Sequence, residues 1–230
     1  MKKVIVFLLV VTLISVTEAV VLLPDADTLL SNDSNRGPTV NHGSASQWQV
    51  RWHEAPRVRI GYVRYDITGV DSALFGLATL SGTCTDSSHD GPITANVWGL
   101  NDDAAGNDWD ESSVNYSNAA GVDNDAVLGT FAFENATLLG TMVIDGQNTQ
   151  PLSFGSNTTD LPLEDFLNSD TDGLVTLMFI DSVQSGTEIY IDSKEGNTAD
   201  GHGPMTLNFV PEPGTMVLLG LGGLFLRKRK

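Results

Sequence analysis

Between residues 20 and 210, apolar positions alternate with polar ones or run on briefly, then stop at clusters of turn-forming residues. The segments are Gln47–Trp52, Val58–Ile67, Ala73–Leu80, Ile93–Leu100, Val114–Ser117, Ala126–Phe133, Leu138–Ile144, Leu152–Phe154, Leu174–Ile180, Glu188–Ile191 and Met205–Val210. Valine, isoleucine, tyrosine, phenylalanine and threonine are common in them, as a pleated, half-buried surface favours. Breaks such as Asn32-Asp33-Ser34-Asn35-Arg36-Gly37-Pro38 and Asp145-Gly146-Gln147-Asn148 bring the residues that stabilise turns. Many short strands at this spacing predict an all-β sandwich or barrel. No long segment keeps a 3.6-residue period, which argues against a parallel sheet with crossover helices. One short helix is predicted after Thr159 or Asp160, with Pro162 in its first turn and Leu163, Phe166 and Leu167 facing inward.

The two ends break this pattern. Lys2 and Lys3 precede an apolar run from Val4 to Val16, followed by Thr17-Glu18-Ala19. A basic start, a short apolar stretch and a small residue at the cut site predict a secretory signal peptide over residues 1–19, cleaved between Ala19 and Val20. At the other end Pro211-Glu212-Pro213-Gly214 leads into the glycine-rich apolar run Thr215–Leu226 and the basic block Arg227–Lys230. That run is short for a membrane helix, which needs about 20 residues, and the basic block would stay cytoplasmic. The combination resembles the PEP-CTERM sorting signal. The resemblance implies export, transient anchoring of a C-terminal membrane helix in the inner membrane, and cutting near Pro-Glu-Pro by an exosortase-type enzyme. It further implies a final location at the cell surface or in the extracellular matrix.

Charge narrows the possibilities. The 230 residues carry a formal net charge of −17. The span between the two signals is more acidic still, with six basic residues (Arg36, Arg51, Arg57, Arg59, Arg64 and Lys194) against 27 acidic ones. Nucleic-acid binding requires the opposite sign. The lone cysteine, Cys84, excludes an internal disulfide and reads as a small apolar side chain.

Four landmarks follow one another along the span. Ala26-Asp27-Thr28 precedes a polar loop with Asn41-His42-Gly43-Ser44 and the strand Gln49-Val50-Arg51. Then comes Gly61-Tyr62-Val63-Arg64-Tyr65-Asp66-Ile67, similar to an "lRFDls" strand. Val97-Trp98-Gly99-Leu100 leads to Asp108-Trp109-Asp110-Glu111-Ser112-Ser113-Val114-Asn115-Tyr116-Ser117-Asn118-Ala119, similar to a W-x-E-x-T pattern. Last, Ile189-Tyr190-Ile191-Asp192-Ser193-Lys194-Glu195-Gly196 leads to Gly203-Pro204-Met205-Thr206-Leu207, similar to an F-x-S-K-E pattern followed by P-x-L. In this order they resemble the DNRLRE-type domain, related to carbohydrate-binding modules found beside alginate lyases. The resemblance covers about residues 25 to 210. It implies a jelly-roll-like β-sandwich that is non-catalytic and carried on secreted bacterial proteins. The chain departs from the pattern at Tyr116, where Trp is usual, at Ala120-Gly121, where Pro often follows, and in a longer segment from Gly121 to Gln150.

Candidate chemistry follows from residue types. Trp109, Glu111 and Tyr116 are expected to staple a long loop to the domain, and Arg64 to pair with Glu195. Hard oxygen donors cluster at Asp102, Asp103, Asp108 and Asp110, and again at Asp25 and Asp27, so the expected cofactor is a structural calcium. Asn168-x-Asp170-x-Asp172-Gly173 resembles half an EF-hand loop, but Phe179 stands where the twelfth-position Glu belongs, so it reads as a turn. Trp48 and Trp52, four apart in one strand, and Arg57 and Arg59, two apart in the next, are the candidate carbohydrate contacts. The competing expectation for the tryptophans is burial in the core.

The sequence thus predicts a non-enzymatic exported surface protein that contacts extracellular polysaccharide. A structural or adhesive surface protein without glycan specificity is the alternative. A secreted polysaccharide hydrolase or lyase ranks third, since no catalytic motif is present.

Overall fold

The computed structural model describes residues 19–33, 36–53, 57–87, 92–122, 133, 135–145, 151–155, 161–183, 186–196 and 203–210. The eleven strands among them are β1 (Val20–Leu22), β2 (Ala26–Ser31), β3 (Gln47–Trp52), β4 (Val58–Asp66), β5 (Ala78–Ser87), β6 (Pro92–Leu100), β7 (Ala136–Asp145), β8 (Pro151–Gly155), β9 (Leu174–Asp181), β10 (Glu188–Asp192) and β11 (Thr206–Phe209). Every strand pair is antiparallel, so the chain is all-β as its alternation predicts. The order is β1-β11-β5-β10-β3-β4-β9-β6-β7, with β2 on the other edge of β4 and β8 against β5. Helix α1 (Leu161–Ser169) is the predicted one, and Leu163, Phe166 and Leu167 are buried.

Two expected strands are revised. Ala73–Leu80 does not form one strand. Asp71 accepts a hydrogen bond from Ala73 N (3.0 Å), which starts a 3-10 helix over Ser72–Leu77, and extended backbone begins only at Ala78. Val114–Ser117 is a series of turns, because Asn115 and Asn118 bond their own local backbone. Strands β1 and β2 were not anticipated. The predicted strand Ala126–Phe133, apart from Phe133, lies outside the described residues, as do most of the signal peptide and the C-terminal apolar segment. Among the described residues no helix is long and apolar enough to cross a membrane.

Apolar side chains gather in two clusters. The larger takes Leu29, Trp48, Val50, Val63, Tyr65, Val97, Leu177, Phe179, Ile189, Ile191, Leu207 and Phe209, with Cys84 among them and α1 packed in. The second takes the opposite face of β4 and β9, through Val58, Ile60, Tyr62, Met178 and Ile180. Period-two alternation divides β4 and β9 between the two clusters. The second is covered by the segment 101–122, which contributes Ala104, Trp109, Val114, Tyr116, Ala119, Ala120 and Val122.

Val20 is the register partner of Phe209 in the β1–β11 ladder. The chain therefore enters β1 and leaves β11 at the same end of one ladder.

Candidate functional site

The 101–122 segment brings the landmark residues together. Trp109 is buried under it, its indole Nε1 donating to Thr176 Oγ1 (3.0 Å) and its ring 4.8 Å from that of Tyr62. Tyr62 OH donates to the carbonyl of Ala120 (3.0 Å). Asn41, in the polar loop after β2, donates through Nδ2 to the carbonyls of Glu111 (2.7 Å) and Val114 (2.6 Å). Trp109, Glu111 and Tyr116 thus hold the loop down, as expected.

Arg64 lies with its guanidinium 5.1 Å from the Trp109 ring centre and donates to Trp109 O (2.6 Å). It also grips Asp25 Oδ2 (2.6 Å) and reaches Asp108 Oδ1 (3.4 Å). The expected partnership with Glu195 is not formed: Asp25, on the strand-entry loop beside Arg64, takes that place through backbone pairing of β2 with β4.

Glu195 instead joins Asp27 and Glu111. One carboxylate oxygen from each lies within 4.8 Å of the others. Glu111 Oε1 accepts from the backbone N–H of Asp27 (2.8 Å), and Asp27 Oδ2 accepts from the backbone N–H of Lys194 (2.8 Å). Lys194 Nζ pairs with Glu111 Oε2 (2.7 Å), approaches Glu195 Oε1 (3.8 Å) and donates to the carbonyl of Asp25 (2.9 Å). Asp27 is 1% exposed, and its Oδ1 has no hydrogen-bond partner among the described residues. Burial, with Glu195 and Glu111 adding to it, pushes the Asp27 carboxyl up to about 7 against the Lys194 N–H bond. Burial also opposes the charge on Lys194, but Glu111, Glu195 and Asp27 outweigh it and hold the amine above its usual range.

A second carboxylate group forms from Asp102, Asp170 and Asp172. Asp102 Oδ2 accepts from Thr171 N and Oγ1 (both 2.6 Å), and Asp170 Oδ2 accepts from Gly173 N (2.7 Å). Burial, reinforced by Asp102 and Asp172, pushes Asp170 up to about 6 despite the Gly173 N–H. Asn168 and Ser169 end helix α1, and Asp170–Gly173 forms the bend before β9.

The structure distributes the metal candidates over several surroundings. Asp25 and Asp108 serve Arg64, Asp27 and Asp102 enter separate clusters, Asp103 is exposed, and Asp110 caps its own turn by accepting from Ser112 N and Oγ (both 2.8 Å). Neighbours in sequence point apart because the 101–110 loop turns repeatedly. Glu111 and Glu195 were not candidates for metal, although the W-x-E and S-K-E patterns already held them, whereas Asp170 and Asp172 belong to the half EF-hand stretch.

The carbohydrate candidates also separate. Trp48 is 1% exposed in the larger cluster, while Trp52 is half-buried against the second. Although four apart in one strand, the two tryptophans pack against different clusters. Arg59 is buried and bonded to Asp33 (2.9 Å), Glu188 and Gln49 (2.7 Å), so it is not offered to a ligand. Arg57 is exposed, and its carbonyl accepts from His53 N (3.1 Å), close to Trp52. Of the processing positions, Ala19 is exposed and Val20 begins β1, whereas Pro211, Glu212 and Pro213 lie outside the described residues.

A family model for the PEP-CTERM protein-sorting motif matches residues 209–230. The match begins at the last residue of β11, so the sorting signal follows directly on the folded ladder. The chain is thus an exported, exosortase-sorted protein. No curated protein matches the chain.

Proposed function

We propose that the chain is a non-catalytic surface module of DNRLRE type, delivered to the cell surface or extracellular matrix by exosortase-type sorting, where it contacts polysaccharide. The observation that carries the reading is the meeting of distant landmarks. Asp27, Arg64, the Trp109–Glu111 pair and Lys194 come from four separate motifs, yet hydrogen bonds join Asp27 to Glu111 and Lys194, and Arg64 to Trp109. A jelly-roll-like domain in which these motifs close one loop accounts for their order along the chain.

Delivery rests on the sorting motif and on the shared exit of both chain ends from the β1–β11 ladder. Both targeting signals would then approach the same membrane face. Replacing Pro211-Glu212-Pro213 by alanines is expected to leave an unprocessed, membrane-associated chain on immunoblots. Normal processing would remove the sorting step from the proposal.

For polysaccharide contact the remaining candidates are Trp52 and Arg57, which flank the β3–β4 connection. Affinity electrophoresis through neutral and uronate polysaccharides tests them. Retardation lost in Trp52→Ala and Arg57→Ala supports glycan contact. Unretarded migration in every gel favours the structural or adhesive alternative, which the withdrawal of Trp48 and Arg59 into the fold already supports.

A further inference from the structure

We propose that Asp27, Glu111 and Glu195 form a binding site for one hard divalent cation, calcium. Two observations carry this beyond a mere cluster of acids. The first is spacing: oxygens within 4.8 Å of one another are what one ion accepts from several ligands at about 2.4 Å each. The second is the orphaned Asp27 Oδ1. A buried carboxylate oxygen lacking any donor, on a residue 1% exposed, is costly to keep, and a metal ion is the partner that three converging carboxylates provide for.

Lys194 is the built-in competitor. Its ammonium rests on Glu111 Oε2 and the carbonyl of Asp25, two further oxygens of the kind calcium takes. It leaves Asp27 Oδ1 unserved, and one positive charge faces three carboxylates. Its stem is flexible and its side chain is 27% exposed, so the amine can leave for water when the ion enters. Calcium fits better than magnesium, because side-chain and backbone oxygens of unequal reach suit its variable geometry. The Asp102, Asp170 and Asp172 group has oxygens at similar spacing and an unpartnered Asp170 Oδ1, but Asp170 is only half-buried where Asp27 is 1% exposed, so that group serves as the control.

The test is calorimetric titration of calcium chloride into the chelator-treated full chain in detergent, with no glycan present. Its failure therefore leaves the surface-module reading untouched. The parent is expected to take up calcium with an affinity that falls at least about tenfold in Asp27→Asn and in Glu195→Gln. Lys194→Met is expected to bind several-fold more tightly, an outcome that loss of a merely structural lysine would not produce. Asp170→Asn is expected to leave this uptake unchanged. Glu195 is exposed, so Glu195→Gln keeps the test decisive should Asp27→Asn fail to fold. No uptake by the parent at roughly 10 mM calcium, well above the range of extracellular modules, overturns the proposal. So does uptake that survives Glu195→Gln or is lost only in Asp170→Asn.

Discussion

The indole of Trp48 lies where a side chain at Gly61 would stand: a Cβ there would fall inside contact distance of Cε3 and Cζ3 of the ring. The ring is also 5.3 Å from Phe179. A glycine on β4 thus makes the space in which the tryptophan of β3 is buried. Trp48 is consequently part of the core rather than a platform for sugars.

Gly61→Ala is expected to lower stability by about 1–3 kcal/mol through overpacking. The check is the urea midpoint. Trp48→Leu frees the space, so the double variant should lose less than the sum of the two single ones, because the residues share one contact.

Trp109 joins the covering loop to the strands by packing and by one hydrogen bond, and two variants separate these. Trp109→Ala is expected to cost about 3–5 kcal/mol. Trp109→Phe keeps a ring beside Tyr62 but removes the donor to Thr176 Oγ1, at a cost of about 1 kcal/mol for the bond itself. Proteolysis within residues 101–122 should accelerate far more in the alanine variant.

Arg59 is a buried cation held between Asp33 and Glu188, with Arg51 also bonded to Glu188 at 3.3 Å. Removing it takes one cation away from two buried carboxylates. Arg59→Met is expected to destabilise by about 3–5 kcal/mol despite its similar volume. Arg57→Met, at an exposed position on the same strand entry, should change stability by less than about 0.5 kcal/mol.

The raised carboxyl of Asp27 gives a stability slope of known sign. Between the unfolded value of 3.8 and about 7, the folded chain binds a proton that the unfolded chain has lost. The contribution of Asp27 is therefore full below about pH 4 and is lost as pH rises to about 7. In chelator, the difference between the parent and Asp27→Asn should shift by a few kcal/mol across that window, Asp27→Asn gaining on the parent as pH rises. Equal slopes in the two chains would show that Asp27 is not raised.

Alternation alone determined the strand class, most strand positions and the buried face of α1, because the period of side-chain direction is local. The sorting motif was likewise legible, being a contiguous stretch of Pro-Glu-Pro, apolar run and basic block. The W-x-E and S-K-E patterns marked Glu111 and Glu195 without saying that they meet.

Tertiary structure alone decided partners. Asp27 lies 84 positions from Glu111 and 167 from Lys194, and no local period encodes such distances. Only the pairing of β2 with β4 and the folding of the 101–122 loop over the second cluster bring those groups together. The same holds for Trp48 and Trp52: they stand four apart in β3, yet they pack in different clusters. Local sequence fixes which way a side chain points from its own backbone; what it then meets depends on distant strands, whose packing excludes water from both clusters.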